Sequence, residues 1–412
     1  MILDLTRMTD AIRLTRAGRL AEATSLLQGL PPKPTSPGNS EELERDPART
    51  AFRDGQLLDM VPPRLGSGPW TAPSVDTPKD SGSTTSLSQP CMPEALRGFL
   101  ERLGIRGPSP GLRGMPGGRV LDARTSLSDG ARYEERTYTN TACSRKYKLF
   151  VPSCYCGEQL PLIMMLHGCK QSPDDFATGT RMNELAEEQG FLVAYPGQPS
   201  SANSLKCWNW FSTDDQLRDK GEPSLIAGIT RQIICEFGVD STRVYIAGLS
   251  AGGAAAAIMG SAYPDLYAAI GVHSGLACGV AKDLNSAFSA MRHGASLPLP
   301  EGARRPLPTI VFHGDRDNIV SSLNGDQVIA QSRAGLDLHR TISHGQSAGG
   351  INYTRTVEAD QSGRPILEQW VLHGAGHAWS GGSPVGSYTD PRGPDASREM
   401  LRFFFEQSEP SG

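Results

Sequence analysis

The pentapeptide Gly248-Leu249-Ser250-Ala251-Gly252 places a serine between two glycines where two patterns meet. Residues 243–247 (RVYIA) are largely apolar, with β-branched Val244 and Ile246, and strand-like, whereas Ala254 to Met259 are helix formers. A chain turning that sharply has no room for side chains beside the turn, which accounts for the glycines. It also strains the serine and pushes its hydroxyl outward, the geometry of a G-x-S-x-G nucleophile elbow. A serine hydroxyl is a weak nucleophile and needs a base within hydrogen-bond reach, itself oriented by a third group. On a strand–elbow–helix unit those partners follow in the order acid, then histidine. Four histidines lie beyond the first plausible acid: His339, His344, His373 and His377. The first two sit in polar sequence with no strand leading into them. His373 closes "ILEQWVLHG", and His377 follows in "GAGHAWSGG", among small residues that let an imidazole swing towards the serine. His377 is therefore the expected base and His373 a structural residue. The acid comes from "TIVFHGDRDNIV", with Asp315 and Asp317 as candidates. Asp317 is favoured, because Val320 soon restarts the packed chain, and Asp315 is expected to bond the turn's own backbone.

Negative charge developing on a substrate carbonyl needs hydrogen-bond donors. The amide after the nucleophile, Ala251, supplies one. The second is expected from "LHGCKQ" (Leu166 to Gln171), with Cys169 the choice and Gly168 the alternative. Three aromatic residues cluster in "KCWNWF" (Lys206 to Phe211). Trp208 and Trp210 read equally as core or as walls of an apolar substrate groove. Trp379, two residues past the expected base, is expected to touch substrate.

These groups need a scaffold. "ARYEERTYTNTACSRKYKLFVPS" alternates like a hairpin, and "LPLIMMLHG" is a buried strand. "DDFATGTRMNELAEEQGFLVAYP" reads as a helix running into a strand, and "EPSLIAGITRQIICEFGVD" as the helix before the elbow strand. "YAAIGVHSG" and "PTIVFHGD" are further buried strands. Strands alternating with helices imply a mostly parallel sheet covered on both faces. With the order serine, acid, histidine, the fold class is α/β, an α/β-hydrolase, over residues 125–410.

Upstream, residues 1–30 read as an amphipathic helix with Leu5, Met8 and Ile12 on one face and Arg13, Arg16 and Arg19 on others. Residues 31–124 read as a Pro/Gly/Ser-rich linker with a short helix at 92–104. Among 412 residues, 44 are acidic and 40 basic, so charge offers nothing for a nucleic-acid partner. No apolar run reaches the roughly 18 residues of a membrane span. The N-terminus lacks the apolar core of a signal peptide, so a cytoplasmic location is expected unless a leader is missing. Eight cysteines in a chain this long do not make a small disulfide scaffold, and reduced core thiols are expected, with one or two disulfides if the protein is exported. The spacer in Cys154-Tyr155-Cys156 is too short for a zinc knuckle. No metal or cofactor is expected.

Four ordered blocks carry a family resemblance: "LHGCKQSPDDFATGTRMNELAEEQGFLVAYPGQPSSANSLKCWNWF", "GLSAGGAAA", "FHGDRDNIV" and "GAGHAWSGGSPVGSYTDPRGPDASREMLRFF". Over residues 140–406 the chain resembles the poly(3-hydroxybutyrate) depolymerase family of esterases, which is related to feruloyl and acetylxylan esterases. The resemblance implies a triad of Ser250, Asp317 and His377, an oxyanion loop at "HGC" and cleavage of 3-hydroxyalkanoate esters through an acyl-enzyme. It also brings Cys169 and Cys207 close together beside the oxyanion loop, where a disulfide would argue for export. Secreted polymer-degrading members append a linker and a substrate-binding domain, and this sequence shows neither. The expected partners are therefore oligomers, amorphous granules or small esters, with a weak granule or surface contact by the N-terminal helix. Two other readings stand beside this one, a small-ester or feruloyl-type esterase and a non-catalytic granule-associated binding protein.

Overall fold

The computed structural model describes residues 128–141, 143–295, 307–333 and 335–407, with the backbone of one hairpin upstream. The chain divides into two compact units, residues 1–91 and 92–412. In the first unit, β1 (Thr50–Arg53) and β2 (Gln56–Asp59) pair antiparallel. The two residues between them are Asp54 and Gly55, a pair that favours tight hairpins. This hairpin lies in sequence read as linker. The helices expected at 1–30 and 92–104 lie outside the described residues.

The second unit is built on a ten-stranded sheet. Its strands are β3 (Arg132–Thr139), β4 (Ser144–Val151), β5 (Leu162–Leu166), β6 (Leu192–Pro196), β7 (Val244–Leu249), β8 (Ala269–His273), β9 (Thr309–Gly314), β10 (His339–Gln346), β11 (Asn352–Ala359) and β12 (Pro365–Leu372). Across the sheet they run β10-β11-β12-β9-β8-β7-β5-β6-β4-β3. The strands from β12 to β6 are mutually parallel, and antiparallel hairpins extend both flanks. β5, β6, β7, β8 and β9 are buried along their whole length. Their continuous apolar runs fit a sheet covered on both faces.

Alternation along β5 shows how the layers form. Leu162, Met164 and Leu166 pack in the core of one face, whereas Ile163 and Met165 pack in that of the other. The second face is covered by α1 (Pro173–Thr180), α2 (Met182–Gln189) and α7 (Ala396–Glu406), through Phe176, Leu185, Met400 and Phe403. The first takes α3 (Gly221–Phe237), α4 (Ala251–Ala262), α5 (Leu284–His293) and α6 (Leu323–Arg333), through Ile226, Ala256, Ala287 and Val328.

Two details depart from expectation. The single helix read after β5 is two, because Arg181 adopts a left-handed conformation (φ 56°) that ends α1 and starts α2. The polar segment holding His339 and His344 is itself strand β10, almost wholly exposed at the sheet's edge. Its hydrophobic pattern is weak because neither face is buried.

Candidate active site

Ser250 stands between β7 and α4 with φ 57° and ψ −118°. That conformation costs a non-glycine residue on the order of 1–3 kcal/mol and persists only where its surroundings impose it. Here the Ser250 amide donates to the His273 carbonyl at 2.9 Å, tying the elbow to the end of β8. The flanking glycines answer to two different close approaches. A Cβ on Gly248 would lie 2.3 Å from the Gly252 carbonyl carbon, so glycine there lets the turn close. A Cβ on Gly252 would lie 2.0 Å from the Leu166 carbonyl oxygen, so glycine there admits the loop after β5.

Beyond β9, Asp317 Oδ1 accepts the Ile319 and Val320 amides, each at 2.9 Å. Its Oδ2 lies 2.7 Å from His377 Nδ1. Burial alone would raise the Asp317 pKa, but bonding to His313 and His377 outweighs it and holds the carboxyl well below its usual range. An ionised carboxylate only accepts hydrogen bonds, so the His377 Nδ1 carries the proton that bonds Asp317. The pair is enclosed, with side-chain exposures of 7% for His377 and 0% for Asp317. The loop bearing His377 is held to the acid loop by the Arg316 amide, which donates to the Ala375 carbonyl at 3.1 Å.

A second pair lies beside the first. His373 Nδ1 is 2.9 Å from Asp315 Oδ2, and its Nε2 is 2.9 Å from Thr354 Oγ1. Asp315 was expected to bond its own turn, yet Oδ1 accepts the Gly374 amide at 2.7 Å. Asp317 instead both braces its own turn and orients the imidazole.

The elbow, acid and histidine all follow the carboxyl ends of β7, β9 and β12, on one edge of the sheet. Among the described residues no hydrogen bond joins the Ser250 hydroxyl to His377. Such bonds are commonly long in a substrate-free site and tighten when substrate binds.

The oxyanion candidates separate clearly. The Gly168 amide is already spent on Gln171 Oε1 at 2.9 Å, which removes it as a donor to substrate. The Cys169 amide makes no hydrogen bond among the described residues. Ala251 opens α4, where first-turn amides lack helical partners. Cys169 is disulfide-bonded to Cys207. Of the remaining described cysteines only Cys278 is buried, so the expectation of core thiols gives way to exposed ones at Cys143, Cys154, Cys156 and Cys235.

The tryptophans call for correction. Trp208 is fully buried and donates from Nε1 to the His167 carbonyl at 3.0 Å, beneath the loop rather than in a groove. Trp379 is equally buried, stacked on His273 and donating to Ser397 Oγ at 3.0 Å. Trp210 is buried among core residues as well. Each ring packs inward because its N–H or its edge finds a partner there, and none is a substrate wall.

Three further residues support this arrangement without being assigned a role by any sequence motif. His273 carries the carbonyl that holds Ser250, and burial pushes its imidazole down to about 3, so its Nε2 stays free to accept the Ser380 amide at 3.0 Å. His313 lies 3.5 Å from Asp317 and donates from Nε2 to the Val320 carbonyl at 2.9 Å. Gln171 braces the oxyanion loop against Asp175 Oδ2 and the Ser387 carbonyl, both at 3.0 Å. The signal for the two histidines was their place at the ends of buried strands, "GVH" and "VFHG". Among the described residues no group of three or more His, Cys, Asp or Glu side chains is placed to hold a metal ion.

A parallel sheet with helices on both faces, a strained serine at its elbow and an acid–histidine pair on the same edge give the chain an α/β-hydrolase fold. Residues 145–343 match the family model described as Esterase PHB depolymerase. The chain is 31% identical over 237 residues to poly(3-hydroxyalkanoate) depolymerase C of Paucimonas lemoignei, covering 55% of each chain. It is 27% identical over 308 residues to feruloyl esterase B of Neurospora crassa, covering 70% of this chain and 96% of that one. Among solved structures it is similar in fold to an acetyl xylan esterase from Aspergillus awamori, with TM-score 0.52 and 20% identity. That likeness covers 66% of this chain and 99% of the other.

Proposed function

We propose that the chain is a serine carboxylester hydrolase that cleaves poly- or oligo-(3-hydroxybutyrate)-type esters through an acyl-enzyme. The observation that carries this reading is the buried Asp317–His377 bond, 2.7 Å long, on the edge of the sheet where the elbow holds Ser250. His377 Nε2 takes the Ser250 proton as the oxygen attacks the ester carbonyl, and Asp317 stabilises the imidazolium that forms. The tetrahedral oxyanion receives hydrogen bonds from the Cys169 and Ala251 amides. His377 then protonates the leaving alkoxide, and water, activated by the same imidazole, releases the 3-hydroxy acid.

A small-ester or feruloyl-type esterase is the second reading. It is favoured by coverage, since the chain spans 96% of the feruloyl esterase but only 55% of the depolymerase. A non-catalytic binding protein has no use for a nucleophile, base and acid together. The Cys169–Cys207 disulfide supports an oxidising compartment over the cytoplasm. Thiol counts with and without reductant test that point, and an unchanged count would sink it.

Turbidity of an amorphous poly(3-hydroxybutyrate) suspension distinguishes the readings, with wild type compared to Ser250→Ala. Clearing by the wild type alone supports nucleophile and polymer together. Cleavage of short aryl esters without clearing leaves the small-ester reading in the lead. Hydrolysis retained by Ser250→Ala excludes the mechanism.

A further inference from the structure

The loop that carries Trp208 joins the oxyanion loop at three points. The Cys169–Cys207 disulfide is one. Trp208 Nε1 donates to the His167 carbonyl at 3.0 Å, and the Lys170 amide donates to the Leu205 carbonyl at 2.7 Å. The position of Cys169, and so of its unpaired amide, is inherited from residues 203–209. Those residues are in turn organised around one carboxylate at the start of α3. Glu222 is buried, and its Oε2 accepts the Asn209 amide at 2.8 Å. Its Oε1 accepts Asn209 Nδ2 at 2.8 Å and also the Gln198 side-chain amide. Gln198 carries the bracing onward, donating from Nε2 to the Cys207 carbonyl at 2.9 Å and from its backbone to His167 Nε2 at 3.1 Å. Glu222 therefore touches neither the elbow nor the Asp317–His377 pair, yet its carboxylate's partners Gln198 and Asn209 belong to the segment that is bonded to the loop bearing Cys169.

We propose that Glu222 is the positioning residue of the oxyanion hole, its carboxylate gathering Gln198 and Asn209 so that the disulfide-linked loop holds the Cys169 amide on the developing oxyanion. This rests on the esterase mechanism given above. Three donors converge on the two oxygens, and a carboxylate accepts them all. An amide in its place would turn its own NH2 towards one or more of them. The same conflict arises when the carboxyl is protonated. Burial is the main cause that pushes Glu222 up to about 7, Asp215 adds repulsion, and the amide bonds and Arg145 pull the other way. Arg145, on β4, lies over the Trp208 ring, and its Nε and Nη1 have no hydrogen-bond partner among the described residues. Asp215 Oδ1 accepts the Glu222 amide at 2.8 Å. His167, at the end of β5, is held neutral, its pKa lowered to about 4 by burial. A carboxyl pushed up to about 7 changes charge inside the pH range of the test below, and its ionised form accepts all three donors.

The test is kcat of Glu222→Gln on a short aryl ester from pH 5.5 to 8.5, with active sites counted by a serine-reactive fluorophosphonate. At pH 8 the variant should lose about 10- to 100-fold in kcat, less than or equal to the loss of one oxyanion donor, with KM changed less than threefold. The ratio of wild type to variant should shrink as pH falls below 7, because protonated wild type then resembles the variant. A purely structural role gives instead a ratio independent of pH, or a loss that vanishes once active sites are counted, and either result overturns the proposal. Asn209→Ala, which deletes one of the three donors, serves if Glu222→Gln does not fold. It should lower kcat a few-fold without changing KM, and an unchanged kcat overturns the proposal as well. Failure of wild type to react with the fluorophosphonate would refute the esterase reading itself, a result distinct from either.

Discussion

Two aspartate–histidine pairs sit side by side at the ends of β9 and β12, and they differ in almost everything except composition. Asp315–His373 is open, with side-chain exposures of 37% and 43%, whereas Asp317–His377 is closed at 0% and 7%. His373 spends both ring nitrogens, on Asp315 and on Thr354. His377 spends one, on Asp317, and among the described residues its Nε2 makes no hydrogen bond. Asp317 is fixed by two backbone amides of its own turn, whereas Asp315 receives one from the neighbouring loop. A histidine is made a base by being oriented from one side and left open on the other, inside a site where water does not screen the pair.

The comparison breaks most easily at the histidines. His377→Ala should lower kcat by about 10⁵-fold or more, as loss of a triad base does. His373→Ala, measured on the same short ester, should stay within about threefold, since an exposed pair contributes little. Comparable losses in the two variants would erase the distinction.

Acid unfolding sharpens it. The Asp317 pKa is lowered in the folded state, so its contribution to stability is present above the ordinary carboxylate range of about 4 and is lost as pH falls through the lower folded value. Asp315 is lowered in the same direction, by His373 and the Gly374 amide against burial, but solvent screens it. Urea unfolding from pH 2 to 6 should therefore show a shallower pH dependence for Asp317→Asn than for wild type, and little change for Asp315→Asn. Glu222 has the opposite sign, since its raised pKa gives a contribution complete below its ordinary value and lost as pH rises through about 7. The smallest effect is the stability cost of Asp315→Asn at pH 7, about 1 kcal/mol or less by urea unfolding.

Legibility in the sequence followed how local each signal was. The elbow could be read because strand, Gly-x-Ser-x-Gly and helix lie within 20 residues, and steric need for glycine is written into the pentapeptide. The Asp317–His377 contact could be anticipated because each residue follows the end of a strand in chain order. The tryptophans could not, because whether a ring faces a groove or the core depends on partners far off in sequence. Trp379 finds Ser397, and Trp208 finds the His167 carbonyl. Gln171 and Glu222 were invisible for the same reason, their value lying in bonds to residues such as Ser387 and Asn209. The β10–β11 hairpin escaped because an exposed edge leaves little hydrophobic period to detect.

The most direct test of the account compares Asp317→Asn with Asp315→Asn in kcat on one short aryl ester, per fluorophosphonate-reactive site. The account predicts a fall of about 10⁴-fold for Asp317→Asn, as expected when a triad imidazole loses its orienting carboxylate, and near wild-type turnover for Asp315→Asn. Near wild-type turnover for Asp317→Asn, or a large loss for Asp315→Asn, would contradict it.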